Sequence, residues 1–245
     1  MPHYNRAPIT EALIDIRVEP STPLKLEDFH PLKARLPDYP KEETRNLNAV
    51  TIQFGAGISQ TTAQQPWALV LRNAENNQVV QFSLNGFTFS RLEPYQDWEH
   101  LRDETKRLWD IYAGLAKPKN ITRIAVRFIN VFKFPGERVE PDEYLNIFPE
   151  VSRGLRPELR DFGPFSMRLP FPQQDLKGVL VINQGNGIPQ PGAGIIPIIL
   201  DLDLFVDNPV VANEEELWSL FEKLRVRKNE YFEASITDKT RELIR

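Results

Sequence analysis

The feature of this sequence that most constrains its fold is a pattern of amphipathic segments that occurs twice. Residues 9–18 alternate between apolar and charged positions, and residues 120–132 show the same alternation. Because successive side chains of a β-strand point to opposite faces, each segment predicts a strand with one apolar and one largely charged face. A short helix is predicted after each strand, at residues 25–36 and 141–148, where prolines limit its length.

Three further strands and a longer helix follow each short helix. The strands are predicted at residues 49–55, 67–72 and 79–91 in the first copy and at 165–169, 178–183 and 195–206 in the second. The long helices are predicted at residues 97–115 and 214–232, because apolar residues recur there at helical spacing. The sequence therefore predicts an α+β fold with two similar strand-helix-three-strand-helix halves, residues 1–118 and 119–245, in one compact unit. We expect an antiparallel sheet with the helices on one face and the other face open.

The charged faces of the two initial strands hold the candidate binding residues. If the halves are related by duplication, Glu11 and Asp15 lie opposite Arg123 and Arg127 on neighbouring antiparallel strands. One interpretation is a ladder of cross-strand ion pairs on a solvated face, each contributing about 0.2–1 kcal/mol. The other is the floor of a binding site, since opposite charges on a concave, partly desolvated surface can orient a ligand or a partner.

Three other segments have ordinary structural interpretations. Residues 184–194 are rich in glycine but lack the Gly-Lys-Ser/Thr ending of a phosphate-binding loop, and they predict a mobile hairpin loop that could close over the sheet. Asp201 and Asp203 alternate with leucines, which predicts that both aspartates face solvent and argues against a metal site. The basic run at residues 223–228 is predicted to lie on a solvated helix face, with contact to nucleic acid or an acidic partner as the alternative.

The sequence contains no residue pattern typical of catalysis. It has no cysteine, its three histidines have no metal-binding or triad spacing, and it lacks a dinucleotide fingerprint and a nucleophile elbow. We therefore predict no catalytic residue, cofactor or metal, and an enzyme is not favoured.

The missing cysteines and the lack of a signal-like apolar run in residues 1–17 predict a cytoplasmic protein without a membrane segment. A net charge of −4 gives no overall attraction to nucleic acid.

Several short motifs are spread along the whole chain. They are Asn-Arg-Ala-Pro-Ile-Thr-Glu-Ala at residues 5–12, Tyr-x-x-Trp at 95–98, Arg-Phe-Ile-Asn at 127–130, Leu-Asp-Leu-Asp at 200–203, Lys-Asn-x-x-Phe at 228–232 and Ile-Thr at 236–237. In these motifs the chain resembles an uncharacterised, sporadically distributed bacterial family of small α+β proteins. The resemblance implies an accessory gene, of the kind carried beside defence and toxin–antitoxin loci, and it implies no catalytic residues.

Two hypotheses about function follow. The first is a non-enzymatic binding or interaction protein with a protein partner, acting as an accessory component of a bacterial defence or toxin–antitoxin system. The alternative is a small enzyme or sensor that binds an anionic ligand such as a nucleotide, because the forked donors of Arg123 and Arg127 suit phosphate or carboxylate. A deep pocket floored by arginines favours the second hypothesis, and a face whose charges neutralise one another favours the first. The sequence predicts no oligomeric state.

Overall fold

The computed structural model describes residues 4–54, 58–136, 139–150, 164–188 and 194–245. The strands in this part of the chain are β1 Ile9–Glu19, β2 Lys41–Phe54, β3 Ile58–Arg72, β4 Gln78–Ser83, β5 Gly86–Leu92, β6 Asn120–Pro135, β7 Ser166–Gln173, β8 Gly178–Asn186 and β9 Ile195–Asp207. The helices are α1 His30–Lys33, α2 Trp98–Ala116, α3 Pro141–Tyr144, α4 Glu214–Ser235 and α5 Asp238–Ile244. Short 3-10 turns occupy Leu26–Phe29 and Gln174–Leu176.

The strands form one antiparallel sheet in the order β2-β3-β4-β5-β1-β6-β9-β8-β7. The predicted α+β class and the predicted antiparallel sheet are therefore confirmed. In the hairpins the register sets apolar side chains opposite one another, as with Leu69 and Phe82 or Ile182 and Leu202. Since a shift of one residue would turn these side chains to the other face, burial of one face fixes the register.

The prediction of one continuous strand over residues 79–91 is wrong. The segment forms β4 and β5, which are joined by a tight turn at Leu84 and Asn85. A Cβ atom added to Gly86 would lie 2.9 Å from the carbonyl oxygen of Ile16, so the close approach of β1 requires glycine at this position. The Asn85-Gly86 dipeptide is a common turn signal, and it marks the break between the two strands in the sequence.

The other differences from the predicted elements are differences of length. β2 and β3 extend well beyond the predicted segments 49–55 and 67–72. The helix predicted at 25–36 is a 3-10 turn followed by the single turn α1, and the helix predicted at 141–148 is the single turn α3. Proline at the start of both single turns is compatible with a first helical turn, but neither segment continues as a longer helix.

Both long helices begin after a residue whose side chain caps the first turn. Asp97 accepts a hydrogen bond from the backbone N–H of His100 at the start of α2, and Asn213 accepts one from Glu216 at the start of α4. Such a cap satisfies an N–H group that has no partner within the helix. The predicted starts of these helices are confirmed to within one residue.

The chain divides into two compact units. The α4 unit comprises residues 1–13, 93–95 and 124–245, and the α2 unit comprises residues 14–92 and 96–123. In the α2 unit the rings of Phe82, Phe87 and Tyr112 lie with their centroids 6.0–6.2 Å apart, which joins α2 to β4 and β5. In the α4 unit α4 packs against β9, and its residues Phe221 and Leu224 are fully buried.

Candidate functional site

The four predicted site residues belong to two separate clusters, one in each unit. The apolar residues that alternate with them are buried, as the strand pattern predicts: Ala12, Ile14 and Ile16 on β1, and Ile124, Val126 and Phe128 on β6. Asp15 and Arg123 lie together in the α2 unit, whereas Arg127 binds a different aspartate in the α4 unit, where Glu11 also acts on it.

Arg127 forms a two-pronged ion pair with Asp201 on β9. Its Nε donates to Oδ1 at 2.8 Å and its Nη2 donates to Oδ2 at 2.7 Å, while Nδ2 of Asn183 donates to Oδ2 at 2.9 Å. Asp201 is only 4% exposed, so the prediction that it faces solvent is wrong. The guanidinium and the amide replace water around the carboxylate, which lets the negative charge lie below the surface.

The charges around Arg127 are acidic. The hydrogen bonds that Arg127 donates to Asp201 raise the pKa of Arg127 above its ordinary value, burial opposes this, and the charges of Asp201, Asp203 and Glu11 raise it further. One guanidinium therefore faces three carboxylates. The Arg127 side chain nevertheless keeps 40% of its surface exposed. Asp201 accepts from Nε and Nη2, and Nη1 takes no part in these two hydrogen bonds.

Asp15 in the α2 unit is balanced by two arginines. Nε of Arg17, two residues along the same strand, donates to Oδ1 at 2.8 Å, and Nη1 of Arg123 lies 3.6 Å from the same oxygen. The hydroxyl of Thr88 donates to Oδ2 at 3.4 Å. The guanidinium carbon of Arg17 lies 5.5 Å from the centroid of the Trp67 ring. Asp15 is 4% exposed, so the predicted ion pair exists but does not lie on a solvated face.

The glycine-rich segment predicted as a loop at residues 184–194 begins inside a strand. Gln184 belongs to β8, pairs in register with Leu200, and is 2% exposed. Residues 189–193 of that segment lie outside the described residues. The prediction of a loop beginning at residue 184 is therefore wrong for its first three residues, which are strand.

The basic run at residues 223–228 is not one solvated helix face, as the pattern of charges had suggested. Arg225 and Arg227 pair with surface carboxylates at 3.5 Å and 2.7 Å. Lys228, in contrast, is only 6% exposed, and its Nζ lies 3.5 Å from the centroid of the Phe128 ring on β6. The structure thus adds a buried amine that the sequence interpretation missed.

A periodic signal in α4 marks Lys228 as buried. The residues Leu217, Phe221, Leu224 and Lys228 follow one another at steps of four, three and four, which keeps them on one side of a helix. Burial lowers the pKa of Lys228 to about 7, and the positive charge of Arg225 contributes in the same direction. An amine in this position loses its proton far more readily than a lysine in water.

Comparison with known proteins supplies no identity. No protein-family model matches the chain, and no curated protein matches it. Within the described ranges, no helix is long and apolar enough to cross a bilayer, and no group of three or more histidine, aspartate or glutamate residues could hold a metal ion. The two clusters and Lys228 are therefore the features from which a function can be inferred.

Proposed function

We propose that the protein is a non-enzymatic binding protein that contacts a protein partner through the Arg127 cluster, meaning Glu11, Arg127, Asp201 and Asp203. The supporting observation is that Asp201 holds Arg127 in a fixed orientation while 40% of the arginine side chain stays exposed. A side chain that is already ordered loses little entropy on binding, so its outer donors can contribute to affinity at low cost.

The charge balance suits a partner that offers hydrogen-bond acceptors to Arg127 and basic groups to the surrounding carboxylates. The alternative function, an enzyme or sensor for an anionic ligand such as a nucleotide, requires arginines whose charge is not already balanced. Arg127 faces Asp201, Asp203 and Glu11, and the charge of Asp15 lies against Arg123. Phosphate at the Arg127 cluster would meet carboxylates as well as the guanidinium, so no observation favours the alternative.

We also propose that the chain consists of two duplicated halves with the helices on one face of the sheet. The sheet order supports this, because β3-β4-β5-β1 on one side corresponds in reverse to β6-β9-β8-β7 on the other. A long helix, α2 or α4, follows the last strand of each half. The first half carries β2 as an additional strand. An experimental structure in which α2 and α4 lie on opposite faces would contradict the duplication.

The cellular setting is proposed on other grounds. An accessory role in a bacterial defence or toxin–antitoxin system rests on the family resemblance, and a cytoplasmic location rests on the absence of cysteine.

The test is affinity purification of the tagged chain from its native host, with mass spectrometry of the proteins and small molecules that are retained. Glu11→Lys reverses one charge of the Arg127 cluster, and Glu215→Lys, at an exposed position of α4, is the matched control. We expect the partner to be lost with Glu11→Lys and kept with Glu215→Lys. Calorimetric titration of the purified partner should show at least a tenfold weaker Kd for Glu11→Lys only.

The same variant separates the two functions because its effect has opposite signs for them. Removing a negative charge near Arg127 weakens the binding of a basic surface and strengthens the binding of an anion. Retention of a nucleotide that increases with Glu11→Lys would establish the alternative and end the proposal of a protein partner.

A further inference from the structure

The sheet of the α2 unit has one face that turns away from α2. Phe82 and Phe87 contact Tyr112 of α2, so the residues that alternate with them along β4 and β5 lie on the other face. The register of four neighbouring strands places one row of residues across that face: Arg45, Ala68, Ser83 and Gly86. The last three are small, which leaves space above them for longer side chains from both ends of the row.

Arg17 of β1 enters this row from one end. A Cβ atom added to Gly86 would lie 2.7 Å from Cδ of Arg17, so the stem of the arginine passes over the glycine. Both carboxylate oxygens of Asp15 accept from Nε of Arg17, at 2.8 Å and 2.9 Å, and the guanidinium carbon lies 5.5 Å from the centroid of the Trp67 ring. The Arg17 side chain keeps 32% of its surface exposed. A buried carboxylate therefore fixes an accessible arginine beside an indole ring.

A β-bulge brings Trp67 to the same face. The register between β2 and β3 shifts after Arg45, which leaves Trp67 of β3 without a residue opposite it. By simple alternation Trp67 would share the face of Leu69, which pairs with Phe82 on the side of α2. An extra residue in one strand redirects its side chain, and the Trp67 ring lies beside Arg17 instead. Trp67 is partly exposed there.

Arg45 of β2 enters the row from the other end. Its Nη1 donates to Oε1 of Gln81 at 2.8 Å, and Nε2 of Gln81 donates to Oγ of Ser83 at 3.1 Å. Gln81 and Ser83 are buried, whereas Arg45 is exposed. Among the described residues the partner of Arg45 is this neutral amide and not a carboxylate. Buried polar groups thus hold Arg45 in place without balancing its charge.

Basic side chains outnumber acidic ones on this face of the α2 unit. The basic residues are Arg17, Lys41, Arg45, Arg72 and Arg123, and the acidic residues are Asp15, Glu19 and Glu43. They extend from β2 to β6, which are five strand spacings apart, or about 24 Å. A strand of nucleic acid suits such a surface, because its phosphates accept forked hydrogen bonds from arginines and its bases stack on an aromatic ring. An acidic peptide would use the charges but not the indole.

We propose that this face of the α2 unit binds single-stranded nucleic acid, with phosphates on Arg17 and Arg45 and an unpaired base on Trp67. The proposal goes beyond the protein partner of the Arg127 cluster and does not depend on it, since the residues belong to the other unit. It also differs from a nucleotide held by Arg123 and Arg127, because a polymer contacts charges that are spread over several strands.

The experiment measures fluorescence anisotropy of a labelled oligothymidylate of about 12 nucleotides with the purified chain, between about 50 and 200 mM salt. Arg45→Ala should weaken the Kd at least about fivefold and lower the slope of log K against log salt by about 0.7, as expected for one lost phosphate contact. Arg168→Ala, which removes an exposed arginine from β7 of the α4 unit, is the matched control. It should change the Kd less than about twofold. Equal Kd values for the two variants would overturn the proposal.

Trp67→Leu separates stacking from charge. Loss of one base stack should weaken the Kd about fivefold or more, while the salt slope stays that of the wild type. Urea melts establish that each variant is folded. Three competitors decide the class of ligand: a polyglutamate peptide of the same length, a DNA duplex of the same length, and thymidine monophosphate. Displacement of the oligonucleotide by any of them at the concentration at which unlabelled oligothymidylate displaces it would also overturn the proposal.

Discussion

Asp201 and Lys228 are both buried ionisable side chains of the α4 unit, and they differ in whether an opposite charge accompanies them. Asp201 binds Arg127 through two hydrogen bonds, whereas Lys228 rests on Phe128 without a carboxylate partner in the described residues. A buried charge that is paired and hydrogen-bonded can persist, but an unpaired one shifts its pKa towards the neutral form. One site therefore holds a fixed ion pair, and the other holds an amine whose pKa is lowered to about 7.

Asp15 of the α2 unit extends the comparison to a third arrangement. It is as buried as Asp201, but Arg17 and Arg123 both lie close to it. Among the described residues, Lys228 has no counter-charge, Asp201 has one and Asp15 has two. The cost of a substitution should depend on how many partners remain.

Removing the single cationic partner of Asp201 should have the largest effect. We expect Arg127→Ala to lower the free energy of unfolding by about 3–5 kcal/mol, because among the described residues Asn183 is the hydrogen-bond donor left to the buried carboxylate. This is well above the limit of about 1 kcal/mol that holds for an ion pair in water. Urea denaturation at neutral pH measures the change.

The control for this prediction also removes the negative charge of Asp201, which Arg127→Ala leaves buried without its arginine. Adding Asp201→Asn to Arg127→Ala should recover part of the loss, because a neutral amide is less costly to bury than an unpaired carboxylate. A loss below about 1 kcal/mol for Arg127→Ala alone would mean that water reaches Asp201, and the contrast with Lys228 would fail.

Lys228 should make stability depend on pH above neutrality. Its pKa is about 7 in the folded chain and near 10.5 when unfolded, so between these values the unfolded state binds more protons. The free energy of unfolding should therefore rise with pH, by up to about 1.4 kcal/mol per unit, and should level off below about pH 7. Lys228→Met, which fills a similar volume, should abolish the rise.

The measurement is a set of urea melts of both proteins from about pH 7 to pH 9.5. Burial raises the pKa of Tyr39 and of Tyr112 above the ordinary tyrosine value, which makes stability fall at pH values above about 10. Below that pH the tyrosines stay protonated in both states, so the change in stability with pH reports on Lys228. The same slope in the wild type and in Lys228→Met would show that Lys228 keeps its proton, and Lys228 would then resemble a paired charge.

Local sequence patterns predicted the elements but not the pairing of the buried charges. The alternation in β1 and the helical spacing in α2 identify both elements because each depends on residues close together in the chain. The burial of Asp201 depends on Arg127, 74 residues earlier, and the alternation of Asp201 with leucines is the same for a solvated aspartate. The burial of Lys228 does have a local signal, its place after Leu224 on the apolar stripe, but a lysine there is ordinarily assigned to solvent.

The smallest effect is expected where a second partner remains. Arg123→Ala should lower the free energy of unfolding by no more than about 1 kcal/mol, because Arg17 still donates to Asp15 at 2.8 Å and Thr88 still contacts it. The separation of 3.6 Å between Nη1 of Arg123 and Asp15 is longer than a hydrogen bond, so this contact stabilises Asp15 only weakly. Urea melts of Arg123→Ala and Arg127→Ala, measured side by side, give the ratio of the two losses in unfolding free energy. Equal losses in the two variants would show that the number of remaining partners does not set the cost, since Asp15 would then depend on Arg123 as fully as Asp201 depends on Arg127.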